Sequence, residues 1–302
     1  MINYENFFAF DYWQYEVIRH LFSFTAAVFA ASLVYFAMSA RGVLPRFRNT
    51  AYISAVVMVS AFLELGALWL MWNGAFAYDA ATGTMRLLDG QVFSNGYRYA
   101  NWLIDVPMLL TQFLVVLGFA GAAFWSRWRK LTIAGVAMIV TGYIGQYYEP
   151  QVSGFVDGNA LPFWVWGIIS WLVFFYLLFV ANAAHKEGRM SLAEKPRAIM
   201  DFAWKLLWVT WFIYGFAYLI PGLPGINQSA DFVVVRQFIY TAADVISKTV
   251  FGILLTRVAM AQSAVEDPRY ANGTPEQALD DPRPVAGTVP GTVAPVTTTT
   301  TL

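Results

Sequence analysis

An all-α membrane protein is the fold this sequence predicts: a bundle of seven transmembrane helices with a short N-terminal helix and a small hairpin between the second and third spans. Three observations predict it. Hydrophobic residues make up 58% of the 302-residue chain and charged residues only 13%, too little charge to cover a water-soluble domain of this length. Seven stretches reach the ~20 mostly apolar residues that a span requires. The segments joining them alternate between basic and neutral or acidic, the pattern by which spans are oriented.

The first span is Gln14–Ser39, preceded by a short aromatic and acidic cap, NYENFFAFD, in residues 1–13. No basic n-region or cleavage site marks that cap as a signal peptide. The next spans are Thr50–Trp72, Tyr97–Trp125, Lys130–Tyr148, Leu161–Ala184, Ile199–Ile220 and Val233–Gln262. Basic connections follow the first (RGVLPRFRN), third (SRWRK) and fifth spans (HKEGRMSLAEKPR). They place the N-terminus outside and the C-terminus inside. Between the second and third spans, TGTMRLLDGQVF has turn residues beside short apolar runs and predicts a hairpin. The seven-helix domain is expected over 14–263. Residues 264–302, rich in Pro, Thr, Gly and Ala, read as a disordered cytoplasmic tail.

The same composition excludes several classes. Lys+Arg and Asp+Glu are both 19, so no net charge points to nucleic acid. With no cysteine, there is no disulfide framework, thiolate metal site or Cys nucleophile. No phosphate loop or nucleophile elbow is present, and the chain reads as no enzyme. The two histidines stand far apart: His20 reads as an interface or packing residue and His185 as a solvated loop residue.

Ionisable residues deep inside spans are costly and mark function. The informative set here is Glu64, Arg98, Asp105, Asp244 and Lys248. Arg98, Asn101, Asp105 and Gln112 are spaced by three, four and seven and share one helix face. Asp244 and Lys248 share a face of the last span. A rise of about 1.5 Å per residue puts Glu64 and Asp105 at a similar depth, roughly 12 Å in. Chemistry alone leaves Lys248 two readings: a lysine held by buried carboxylates, or a desolvated lysine that condenses with a carbonyl.

Seven spans, DVISK in the last and RYxNWxxDxPxLL in the third resemble a microbial rhodopsin, from about Tyr4 to Ala261. The resemblance implies all-trans retinal on Lys248 as a protonated Schiff base. It also implies a pocket containing Trp102, Trp211, Tyr214 and Gly145. Family members usually carry Pro where Gly215 stands. Outward proton pumps of the family typically have Asp, Thr, and Asp or Glu at the positions of Asn101, Asp105 and Gln112. The Asn101–Asp105–Gln112 triplet is instead similar to the bacterial light-driven sodium pumps, the NDQ group. So are the words SAVVMVSAF, NGYRYANWLIDVPMLL and TGYIGQYYE.

That resemblance implies an outward sodium pump in a bacterial inner membrane that moves protons when sodium is scarce. Asp105 would be counterion and transient proton acceptor, and Asn101 and Asp105 oxygens would hold the passing sodium. Gln112 would withhold a cytoplasmic proton, Arg98 would resist backflow, and Asp244 would be a second charge partner. Ser60 and Ser247 would be hydrogen-bonding neighbours. Glu5, Glu149 and Arg236 match an external polar cluster, or are ordinary loop ion pairs. Glu64 stands where the group commonly has an apolar residue; it either faces a wet cavity or interface, or couples to Asp105. The lipid bilayer and further copies of the chain, a pentamer by resemblance, are the implied partners, with no soluble transducer. The alternatives are a light-driven proton pump and a photosensor.

Overall fold

The computed structural model describes residues 3–150 and 158–271. Among them, seven long helices and one two-stranded hairpin follow one another. They are α1 (Tyr12–Ser39), α2 (Arg48–Ala75), β1 (Phe76–Asp79), β2 (Thr84–Leu87), α3 (Gly96–Val116), α4 (Gly121–Gln146), α5 (Leu161–Gly188), α6 (Glu194–Leu219) and α7 (Ala230–Glu266). Each helix packs on its neighbour in sequence, and α7 closes the ring against α1 and α2. All but α4 are long and apolar enough to cross a membrane. The early turns of α4 carry Arg127, Arg129 and Lys130, and its glycines Gly135, Gly142 and Gly145 pack directly on neighbouring side chains.

The helix ends follow local chemistry. Asp11 and Gln14 form a reciprocal capping box at the start of α1. The third span is shorter than the sequence reading has it. It stops at Val116 because Gly118 and Gly121 take φ of 80° and 54°, a conformation glycine adopts readily. Phe124 and Trp125 therefore belong to α4. The fifth runs beyond Ala184 to Gly188, which overturns the solvated reading of His185. That residue is buried, its Nε2 lies 3.0 Å from Asp201, and its ring stacks on Trp204 at 5.3 Å. His20 points outward from α1 beside Glu16. The last helix runs to Glu266, past the expected start of the tail at 264. The rest of that tail, 272–302, lies outside the described residues, as do 151–157 of the loop before α5.

The hairpin forms as expected, with Phe76 opposite Leu87 and Asp79 opposite Thr84. Phe10 exchanges two backbone hydrogen bonds with Met85, so the N-terminal segment lies along the hairpin edge. A short 3-10 turn, Tyr4–Phe7, precedes it. Asn6 fixes this cap by donating to the Phe93 carbonyl and accepting from the Phe93 amide, at 2.8 and 2.7 Å. Beneath lies a fully buried Trp72, ringed by Phe10, Tyr15, Phe22, Phe76 and Phe93. Large apolar side chains such as Phe24, Leu63 and Phe179 face outward instead, as a lipid-facing surface requires.

Candidate functional site

Lys248 lies in a π-helical turn, Val245–Val250, that interrupts α7. Such single turns recur at functional sites because they re-aim side chains. Its Nζ is turned inward and buried. It lies 2.6 Å from Asn101 Oδ1, 2.9 Å from Asp244 Oδ1, 3.0 Å from Asp105 Oδ2 and 3.3 Å from Glu64 Oε2. An ammonium has three N–H groups, so four acceptors compete for three donors. Asp244 is one turn away on α7, Asn101 and Asp105 come from α3, and Glu64 comes from α2. The expected common depth of Glu64 and Asp105 is therefore found, with both reaching one nitrogen.

Arg98 is the second cation. It donates to Asp244 at 2.7 Å, Glu64 at 3.4 Å, Gln237 at 3.1 Å and Thr241 at 3.3 Å. Asp244 also accepts from the Tyr214 hydroxyl at 2.7 Å and from Trp102 Nε1 at 3.3 Å. Tyr214 meets Ser247 at 2.9 Å, and Asn101 donates to Ser60 at 2.6 Å. Asp105 differs from its neighbours. Glu64 and Asp244 each also pair with Arg98, whereas Asp105 pairs with Nζ alone among the described residues.

From Arg98 the network continues to the hairpin end. Gln237 accepts from Arg98 and donates to Glu5 at 2.8 Å and Asn95 at 3.1 Å. Glu5 pairs with Arg236 at 3.0 Å, and Arg236 also pairs with Glu149. Burial pushes the Glu149 carboxyl up, against the pull of the Arg236 guanidinium. The three residues singled out from sequence thus form one buried cluster rather than surface loop pairs. Gln237 and Thr241 were not singled out. Their signal is the spacing Gln237, Thr241, Asp244, Lys248, a polar stripe on one helical face.

Gln112 lies two turns from Asp105 in the opposite direction. It donates to Ser54 at 2.7 Å, a partner also missed. Beside it, Phe113 stacks on Trp204.

An apolar cavity leads away from Lys248. Trp102, Trp211 and Tyr214 line it, as does Gly142. Gly145 is not among its walls; one turn along α4, it packs against Tyr218. Gly215 lines the cavity, and a Cβ there would collide with the Trp171 ring. The indole occupies the space that a larger residue would need. No cluster of three or more His, Asp or Glu is arranged to hold a resident metal ion among the described residues.

The sequence model of the bacteriorhodopsin-like protein family matches residues 16–262. The chain is 24% identical over 246 residues to the green-light absorbing proteorhodopsin of gamma-proteobacterium EBAC31A08, covering 80% of this chain and 86% of that protein. Its fold is similar to that of xanthorhodopsin, described as a light-driven ion pump with dual chromophore. The TM-score is 0.77 at 28% identity, over 86% of this chain and 98% of that one. A thermophilic rhodopsin gives 0.75 at 28% identity, over 88% and 99%.

Proposed function

This chain belongs to the bacteriorhodopsin-like family of light-driven, retinal-binding transporters, and we propose that within it the protein is an outward sodium pump. The observation that carries the reading is the placement of Asn101, Asp105 and Gln112. The first two put side-chain oxygens 2.6 and 3.0 Å from Lys248 Nζ. The third, two turns on, offers an amide where a proton donor would need a carboxyl.

Retinal suits the residues present: a buried lysine amine opens on an apolar cavity lined by Trp102, Trp211 and Tyr214, with glycine at 142, 167 and 215. Held covalently at Lys248, it would supply light absorption and the change of shape that drives the cycle. Asp105 Oδ2 accepts the Nζ proton, since it is close and no second cation holds it among the described residues. Neutralising Asp105 removes an electrostatic trap for a cation. Asn101 and Asp105 then offer the oxygen ligands that a hard cation prefers. Arg98 lies between this point and the hairpin end and resists return of the cation. Gln112 has no proton to give, so Nζ recovers its proton from Asp105, and sodium is the ion moved. When sodium is scarce, Asp105 releases its proton outward and Nζ takes its replacement from the basic end.

Glu64 adds a third carboxyl to a site with two cations. A net buried charge is costly, so Glu64 retains a proton shared with Asp105. Release runs past Gln237 to the Glu5–Arg236–Glu149 cluster. The basic connections support an N-terminus outside and a C-terminus inside a bacterial cell membrane. A homo-pentamer without a soluble transducer belongs to the same reading. The close approach of Asp105 to Nζ also favours one second reading, an outward proton pump.

Light-induced pH change in retinal-supplied cells separates the two, in NaCl and in KCl, with and without a protonophore. Alkalinisation in NaCl that grows with protonophore supports sodium export, because protons follow passively. Acidification abolished by protonophore in both salts refutes it.

A further inference from the structure

A groove runs along the outside of α4 and α5 at the end away from the hairpin. Ser126, Arg129, Lys130, Ile133, Ala134 and Ala137 line it from α4, and Val173 and Tyr176 from α5. The α4 residues repeat at three- and four-residue spacing and form one stripe. Ser126 to Ala137 spans about 16 Å at ~1.5 Å per residue, roughly one leaflet of a hydrocarbon core about 30 Å thick. The groove is divided by chemistry. Its mouth holds two cations and a hydroxyl; its inner part is apolar.

The cations at the mouth are not committed to the protein. In the same turn, Arg127 pairs with Glu187 at 2.5 Å and stacks on Phe119. Neither Arg129 nor Lys130 has a carboxylate partner among the described residues, and Arg129 donates only to the Trp125 carbonyl, at 3.3 Å. The nearby acid is thus taken up by the cation that does not line the groove.

We infer that this groove binds an anionic phospholipid, with the phosphate between Arg129, Lys130 and Ser126 and one acyl chain along Ile133, Ala134, Ala137 and Val173. Charge decides the occupant. A second copy of the chain would have to bring carboxylates to this mouth, and a zwitterionic lipid brings its own cation to compete.

The full chain, purified with retinal and stripped of lipid, tests this by native mass spectrometry against phosphatidylglycerol, phosphatidylcholine and inorganic phosphate. Phosphatidylglycerol should bind in preference to phosphatidylcholine. The double variant Arg129→Gln, Lys130→Gln should bind it about 10- to 30-fold more weakly, at about a factor of five per cation. Ala137→Leu, which fills the apolar part, should weaken both lipids. Lys186→Gln, a cation off the groove, should leave binding unchanged. All variants should keep the visible absorbance band, since none contacts the Lys248 site. Equal binding by the double variant, an equal loss in Lys186→Gln, full displacement by inorganic phosphate, or a dimer sealed across Ile133 would each overturn the assignment.

Discussion

Replacing Glu64 by Gln should move the acid-side colour transition to higher pH by about one unit. Glu64 and Asp105 reach the same Nζ at 3.3 and 3.0 Å, so their nearer oxygens are at most about 6.3 Å apart. With Arg98 and Lys248 as the only cations in contact with Glu64, Asp105 and Asp244 among the described residues, full ionisation leaves an excess negative charge. On the proposed coupling, one proton shared by Glu64 and Asp105 would remove that excess and stabilise the remaining anion by a charge-assisted hydrogen bond. Acidification changes colour when the pair takes up its second proton. A hydrogen bond to a charged group contributes about 1.5–3 kcal/mol, and within that range an O–H···O⁻ bond is shorter and stronger than an amide N–H···O⁻ bond. Gln keeps an N–H donor but not the acid, at a cost of about 1.4 kcal/mol, or one pH unit. The assay is the absorbance maximum titrated from neutral to acid for both proteins. An unchanged curve would sink the coupling. A shift to lower pH would mean that Glu64 acts as a bare negative charge and not as the donor.

Other substitutions probe the remaining parts. Asp105→Asn removes the proposed proton acceptor and should abolish light-driven transport in NaCl and KCl while the visible band persists; residual transport would assign the acceptor to another carboxyl. Arg236→Gln leaves Glu5 and Glu149 buried without their cation. It should cost about 3–5 kcal/mol, read as earlier thermal loss of the visible band. Gly215→Ala drives a Cβ into the Trp171 ring and should cost about 1–3 kcal/mol by overpacking. The double variant with Trp171→Phe should recover most of that stability.

Much of this architecture is legible because burial of ionisable groups leaves a sparse, periodic trace in an apolar sequence. Arg98, Asn101, Asp105 and Gln112 announce one face of α3 by spacing, and Asp244 with Lys248 announces one face of α7. What spacing cannot give is contact between helices. Gln237 and Ser54 are ordinary polar residues until α7 and α2 bring them to Arg98 and Gln112. His185 looks like a loop residue because its neighbours are charged; only the extra turn of α5 shows it packed on Trp204. The sequence places the end of α3 too late because the residues after it are as apolar as the span itself, and the break depends on the backbone of Gly118 and Gly121.

The two sides of Lys248 are built differently, and that difference bears on direction. Toward the hairpin, Asp244, Arg98, Gln237, Glu5, Arg236 and Glu149 form an unbroken series of buried contacts. Toward the basic end, about 10 Å separate Asp105 from Gln112 by helical rise, and the contacts there, Thr249 with Met58, Thr111 with Trp128 and Gln112 with Ser54, are separate uncharged pairs. Phe113, stacked on Trp204, adjoins the last of them. A cation reaching the centre would therefore meet connected oxygens on one side and the Phe113–Trp204 stack on the other. Uptake must open that seal, whereas release needs only a rearrangement of side chains already in contact. Such an arrangement favours release at the hairpin end, provided the seal closes before Asp105 gives up its proton. On the proposed sodium-pump reading, widening the seal with Phe113→Ala should therefore leave the visible band in place but lower net sodium export at a steep opposing gradient, as sodium leaks back toward the basic end. Unchanged export at that gradient would place the gate elsewhere.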